Sequence, residues 1–415
     1  MVLNVIWIAF FLIGLAVALW RAAAGDGQVL AQMLSGIFDT AKVSVDISLG
    51  LVGVMCLWLG LMKVGEHAGV IQLLARVLAP LLARLMPQVP RQHPANGAVV
   101  MNVSANMLGL DNAATPLGLK AMQELQAINP KPDEASNPMI LFLVLNTAGI
   151  TLIPSSVIAM RQTLAMEQGL TGFNAADILL PTLVATFISF TSGLLAVAWV
   201  QRLKLLCLPV LALFGGFAAL MGGLWWWLQG FEPAQMTRVM GALGAGSILL
   251  LMGSFIAVGA WRRVNVYESF VEGAKEGFGV AVQIIPYLVA MLVAISVFRT
   301  SGCMDLVVGG VARGVASLGL PTEWVAALPV GLMKTLSGSG ARALMVDVMN
   351  TYGVASFEGR LAAIIQGSTE TTFYVLAVYF GSVNIRKTRH ALPCALVADL
   401  VGLIGAILVG YAFFA

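Results

Sequence analysis

Residues 106–122 read NMLGLDNAATPLGLKAM, and residues 333–349 read MKTLSGSGARALMVDVM. In each stretch an apolar run meets a small polar turn, and a second run leads away from it. The turns are Leu110-Asp111-Asn112-Ala113 and Leu336-Ser337-Gly338-Ser339-Gly340. The apolar arms before them, 96–110 and 324–337, are too short to cross a bilayer, since a spanning helix takes ~20 residues. The pattern predicts two re-entrant hairpins, with returning helices at 115–127 and from about 341. A helix that begins inside the membrane aims free backbone N–H groups and a partial positive charge at the midplane. Asn112 and Ser339 suit the N-caps of those returning helices.

Around the hairpins the chain is apolar. Of its 415 residues 59% are hydrophobic and 10% are charged, against about 25% charged in a soluble domain. The surplus apolar surface must face lipid. Nine stretches are long enough to span: 2–20, 43–62, 138–160, 176–200, 204–228, 240–261, 278–298, 358–380 and 391–414. Residues 66–86 and 303–318 read as further helices flanking the hairpins. Lys and Arg concentrate on one side of this ladder, at Arg84, Lys120, Arg202, Lys204, Arg262 and Lys387 among others. That side is expected to be cytoplasmic, with the N-terminus inside, the C-terminus outside and the chain in the cell's inner membrane.

The halves repeat. Ala41-Lys42 aligns with Ala274-Lys275, and a glycine follows 27 residues beyond each lysine, Gly69 and Gly302. NTAGITLIP (146–154) aligns with GSTETTFYV (367–375), and the span ending Trp20-Arg21 with the one ending Trp261-Arg262. Shared order of features on this scale indicates duplication. Each half holds four spans and one hairpin. A linking span at 204–228 makes the offset odd, so the repeats are expected to have inverted topology. The expected division is 1–203, a linker at 204–239, and 240–415.

Two spans look broken, since both carry the aligned polar runs: LNTAGITLIPSS and QGSTETTFY. Non-helical backbone at membrane depth is tolerated only against protein or a water-filled cavity. Ser and Thr clusters also join helices, but the matching positions favour a cavity. Glu370 is the most telling charge, because it lies within such a run and aligns with Gly149. It serves either a solute or a coupling cation, or it forms an ion pair with Lys334 or Arg342. Asp46 and Asp399 read as interfacial residues near span ends.

Other chemistries find little support. The net charge of +3 is too small and scattered for nucleic acid. Four dispersed cysteines and three dispersed histidines form no CxxC pair, no HExxH and no zinc knuckle, and neither GxxxxGK[ST] nor GxSxG occurs. No enzyme activity, cofactor or metal is expected.

At the quoted residues the sequence resembles the spore maturation proteins A and B. GLVGVMCLWLGLMKVGEHAG, NVSANMLGLDNAATPLGLKAMQEL and LNTAGITLIPSSVIAMR are similar to protein A, over residues from about 1 to 165. VNVYESFVEGAKEGF, IIPYLVAMLVAISVFR, GSGARALM and GSTETTFYVLAVYFG are similar to protein B, over about 245 to 415. The two are fused here. The resemblance extends to the nucleoside-recognition or Gate group, which is similar to the core of concentrative nucleoside transporters. It implies hairpin gates and a transport-type core in this all-α polytopic membrane protein. The expected function, from the polar runs and the hairpins, is a secondary transporter for a small polar or anionic solute, with alternating access around the two hairpins. One half of the site is expected from Asn106, Asp111, Asn112, Thr115, Asn146 and Thr147. The other is expected from Ser337, Ser339, Arg342, Ser368, Thr369, Glu370 and Thr372. The expected partners are the solute and the bilayer; a coupling ion and a homo-oligomer stay open. A membrane scaffold or regulator is the competing expectation.

Overall fold

The computed structural model describes residues 2–109, 111–205 and 207–414, with side chains at all of these but 2, 3, 111–113, 209, 233, 234 and 237. The fold is all-helical, and no strand occurs among the described residues. The first series runs α1 (Val2–Ala23), α2 (Val29–His67), α3 (Val70–Leu85), α4 (Pro94–Met107), α5 (Asp111–Ala127), α6 (Asn137–Thr147), α7 (Ser155–Glu167) and α8 (Leu179–Gln201). After α9 (Leu208–Leu228) the same order recurs. It runs α10 (Pro233–Trp261), α11 (Val266–Thr300), α12 (Cys303–Ser317), α13 (Leu328–Leu336), α14 (Gly338–Tyr352), α15 (Phe357–Ser368), α16 (Thr372–Ser382) and α17 (Ala391–Phe414).

Local chemistry sets the boundaries. Gly69 and Gly302, aligned by sequence, precede α3 and α12 with φ of 75° and 85°. Only glycine adopts that left-handed backbone without a Cβ penalty. Proline opens α4 at Pro94 and α13 at Pro329, where its missing N–H costs nothing. Helix α3 is amphipathic, burying Ile71, Ala75, Leu78, Leu82 and Leu85 on one face. Ser337, not Ser339, is the N-cap of α14: its hydroxyl accepts the Gly340 N–H at 3.1 Å. Gly338 is already helical, so Ser339 lies two residues past the cap position, inside the first turn. Helix α5 likewise starts at Asp111, which places Asn112 inside the helix.

Among the described residues eight helices are long and apolar enough to cross a membrane, where the sequence offered nine stretches. The stretch at 138–160 is the exception. It is divided between α6 and α7, and α6 has only 11 residues. Pro154 disfavours helical backbone at Ile153 and brings no N–H of its own. The stretch at 358–380 is interrupted too, at Thr369-Glu370-Thr371 between α15 and α16, where threonine side chains compete with the helical ladder.

The chain forms two compact units, each drawing on both halves of the sequence. The first comprises Met1–Trp58, Ser156–Phe173 and Ala274–Gln366; the second comprises Leu59–Ser155, Asn174–Gly273 and Gly367–Ala415. In the first unit, α13 packs on α14 as one hairpin. Arg299 of α11 clasps Asp347 of α14 through two hydrogen bonds, its Nε at 3.0 Å from Oδ1 and its Nη2 on Oδ2. Asp347→Ala strands the partly buried guanidinium and is expected to lower stability by about 2–4 kcal/mol. Unfolding in detergent checks this; adding Arg299→Met should recover part of the loss, and no recovery would contradict the pairing.

In the second unit, α4 packs on α5 as the other hairpin, and α16 lies against α5 and α6. Helices α8 and α17 run close together along a seam of small residues. A β-carbon on Gly402 would come within 2.9 Å of the Ser189 side chain, and one on Gly405 within 2.8 Å of Ile188. Small residues let backbones approach where lipid gives no hydrophobic drive. Gly402→Val is therefore expected to cost about 1–3 kcal/mol through overpacking, read as a lower melting temperature of the purified protein.

Candidate functional site

The second unit brings both helix breaks together. The Glu370 N–H donates to the Thr147 carbonyl at 2.8 Å, which ties the interruption between α15 and α16 to the end of α6. A β-carbon on Gly149 would lie 3.8 Å from Glu370 Cγ, so the two residues that the sequence aligns are neighbours. The first interruption also joins the hairpin, because the Leu152 N–H donates to the Met107 carbonyl at 2.9 Å. Backbone groups freed by each break thus find partners in the other elements, as burial demands.

A chain of amide and phenol groups lines this junction. Asn106 Nδ2, on the hairpin arm, donates to Asn146 Oδ1 at 2.5 Å. Asn146 Nδ2 donates back along its own helix to the Phe142 carbonyl at 2.8 Å. Tyr379 of α16 donates to the same Asn146 oxygen at 3.4 Å and accepts from Asn102 Nδ2 at 3.3 Å. Asn102 also crosses the hairpin to the Ala114 carbonyl at 2.7 Å. The Tyr379 ring stacks on Phe142 with centroids 5.6 Å apart. A buried network of this kind fixes its members where hydrocarbon offers no alternative partner.

Glu370 sits beside this network, half-buried, and no described residue within its unit pairs with its carboxylate. Thr372 and Asp399 form a second buried pair, with the threonine hydroxyl donating to Oδ2 at 2.7 Å. Asp399 is therefore not interfacial. It is eight residues into α17, roughly 12 Å from the helix start, and its side chain faces the α16 end of the break.

Of the residues expected at the site, the second unit holds Asn106, Thr115, Asn146, Thr147, Ser368, Thr369, Glu370 and Thr372. Asn106 and Asn146 bond directly, and the Thr147 and Glu370 backbones meet. Thr147 turns its hydroxyl back onto the Val144 carbonyl at 3.0 Å, and Thr369 packs by Gly402. Thr115 is half-buried on α5 and Ser368 is buried. The Asp111 and Asn112 side chains lie outside the described residues. Ser337, Ser339 and Arg342 belong to the first unit, as does Lys334. There Ser337 and Ser339 share a hydroxyl contact of 3.2 Å beside the cap of α14.

Sequence reasoning did not select Asn102, Tyr379 and Asp399 for the site. Asn102 carried a signal, an amide within an apolar arm one helical turn before Asn106. Tyr379 carried none, because FYVLAVYF reads as lipid-facing or core residues alike.

The comparisons with known proteins agree with this architecture. The family model of the Gate domain, described as nucleoside recognition, matches two segments, 48–164 and 281–386, more than half of the chain. Each contains one hairpin and one broken helix. Spore maturation protein B of Bacillus subtilis (strain 168) is 43% identical over 172 residues, which are 41% of this chain and 95% of that protein. Spore maturation protein A of the same organism is 40% identical over 186 residues, 45% of this chain and 89% of that protein. With one half similar to protein A and the other to protein B, on a frame of membrane-length helices, the chain is a multi-pass membrane protein that belongs to the Gate, or nucleoside-recognition, family.

Proposed function

We propose that this protein is a secondary permease for a small polar solute, working by alternating access in the cell's inner membrane. One observation carries the reading: two broken helices and a hairpin arm meet in the second unit around Asn106, Asn146, Tyr379 and Glu370. Broken helices at membrane depth are how transporters expose backbone and polar side chains to solute. The cluster supplies amides that donate and accept, and a carboxylate that only accepts. It suits a solute rich in N–H and O–H donors, and Glu370 also suits a coupling cation. The family description makes nucleosides the first solutes to test.

In this reading α6 and α7 together cross the bilayer as one broken span, as α15 and α16 do, so the order of elements recurs after an odd number of crossings and the hairpins enter from opposite faces. The N-terminus is cytoplasmic and the C-terminus outside. No chemical step is assigned to the chain.

A thermal-stability screen of nucleosides and other small polar solutes on the purified protein tests the proposal. A ligand should raise the melting temperature by mass action, and Asn106→Ala should weaken that rise. Stabilisation that is indifferent to Asn106 would place the site elsewhere. Solute that binds without ever crossing a membrane would favour the scaffold reading.

A further inference from the structure

A pocket elsewhere in the same unit has a different character. It occupies about 570 Å³ between the end of α3, the start of α6 and the connection from α8 to α9. Three cations rim it: Arg84, Arg202 and Lys204. None of them pairs with a carboxylate among the described residues. Leu85, Pro138 and Leu203 give the same pocket apolar walls. Its position is fixed by the spans. Residues 202–207 join two consecutive membrane-length helices, so the pocket lies where hydrocarbon gives way to water. The three cations also belong to the Lys/Arg-rich side that the sequence assigns to the cytoplasm.

Arg202 adds an independent mark. It ends α8 in left-handed backbone, with φ of 55°. Glycine is the usual residue there, and a long side chain carries a steric penalty. A cation at a helix C-terminus gains some dipole energy in return. That gain explains one charge at one helix end. It does not explain three charges converging on a cavity with apolar walls.

We propose that this pocket binds the phosphate headgroup of an anionic phospholipid, with its acyl chains running along the apolar wall. A cationic rim and an apolar wall at the membrane boundary match an amphiphile better than a soluble anion. Basic pockets between helices on the cytoplasmic side recognise headgroups in this way. The site is separate from the Asn146 cluster, so it stands whether or not the permease reading does.

The test uses the full chain purified in neutral detergent. Short-chain phosphatidylglycerol, short-chain phosphatidylcholine and inorganic phosphate are titrated separately while the melting temperature is followed. Phosphatidylglycerol alone should stabilise the protein by several degrees. Arg84→Gln, Lys204→Gln and Arg202→Gly should each weaken its apparent affinity roughly fivefold. Arg202→Gly should match or exceed the wild-type melting temperature without lipid, since it relieves the backbone. A loss of lipid response there cannot then be misfolding. Lys120→Gln, an exposed charge on α5, should change nothing. Three results would each overturn the proposal: stabilisation that survives the pocket variants, an equal loss in Lys120→Gln, or an equal effect of inorganic phosphate. The last would assign the pocket to a soluble anion.

Discussion

Asn146→Leu should both destabilise the protein and remove solute binding. Leucine keeps the size of asparagine but removes an acceptor used by Asn106 and Tyr379, and a donor used by the Phe142 carbonyl. The Asn106 amide loses its partner, and the Tyr379 hydroxyl keeps only Asn102. Stranding a buried polar group costs about 1–3 kcal/mol, so a loss of roughly 2–4 kcal/mol is expected here. Tyr379→Phe is milder, about 1 kcal/mol, because the ring still stacks on Phe142. The two share a hydrogen bond, so the double variant should lose less than the sum of the singles. Chemical unfolding in detergent, run as a double-mutant cycle, measures the coupling. Strict additivity would mean that the bond in the structure contributes nothing.

Glu370→Gln should behave in the opposite way, leaving the fold and removing the function. The backbone bond from residue 370 to Thr147 does not depend on the side chain. The carboxylate is half-buried and unpaired within its unit, so neutralising it breaks no ion pair there. Stability should change by less than about 1 kcal/mol, the range of substitutions that break no buried network. Solute binding should fall at least tenfold, since hydrogen bonds to a charged group are worth about 1.5–3 kcal/mol. A melting curve paired with a binding titration separates the two effects. A variant that unfolds easily, and is rescued by changing Lys334 or Arg342, would make Glu370 half of an ion pair instead. A Gln variant that binds like wild type would remove Glu370 from the site.

The sequence announced the frame wherever physics punctuates it. Gly69 and Gly302 stand at left-handed turns that glycine alone adopts cheaply. Pro154 and the Thr369-Glu370-Thr371 run interrupt apolar stretches, and helices break there. Glu370 and Gly149, which the sequence aligns, lie near one another, since a β-carbon on Gly149 would be 3.8 Å from Glu370 Cγ. What stayed hidden was set by packing. Tyr379 enters the amide chain only because α16 lies on α5 and α6, which no local pattern encodes. Asp399 looked like a span-end charge, because hydropathy reports length and not which face of α17 meets Thr372. The choice between Ser337 and Ser339 as cap turned on a shift of two residues among small ones. Hydropathy also averaged over the break after Thr147 and read α6 and α7 as one span.

The central claim is that solute crosses the membrane through this protein by way of the Asn146–Glu370 junction. Proteoliposomes containing the wild-type chain, loaded with and without an ion gradient, measure it directly with a radiolabelled nucleoside or the best ligand of the stability screen. The account predicts saturable uptake above protein-free liposomes, lost in Glu370→Gln protein reconstituted to the same level. Uptake equal to protein-free liposomes for every solute that binds, or equal in wild type and Glu370→Gln, would contradict it.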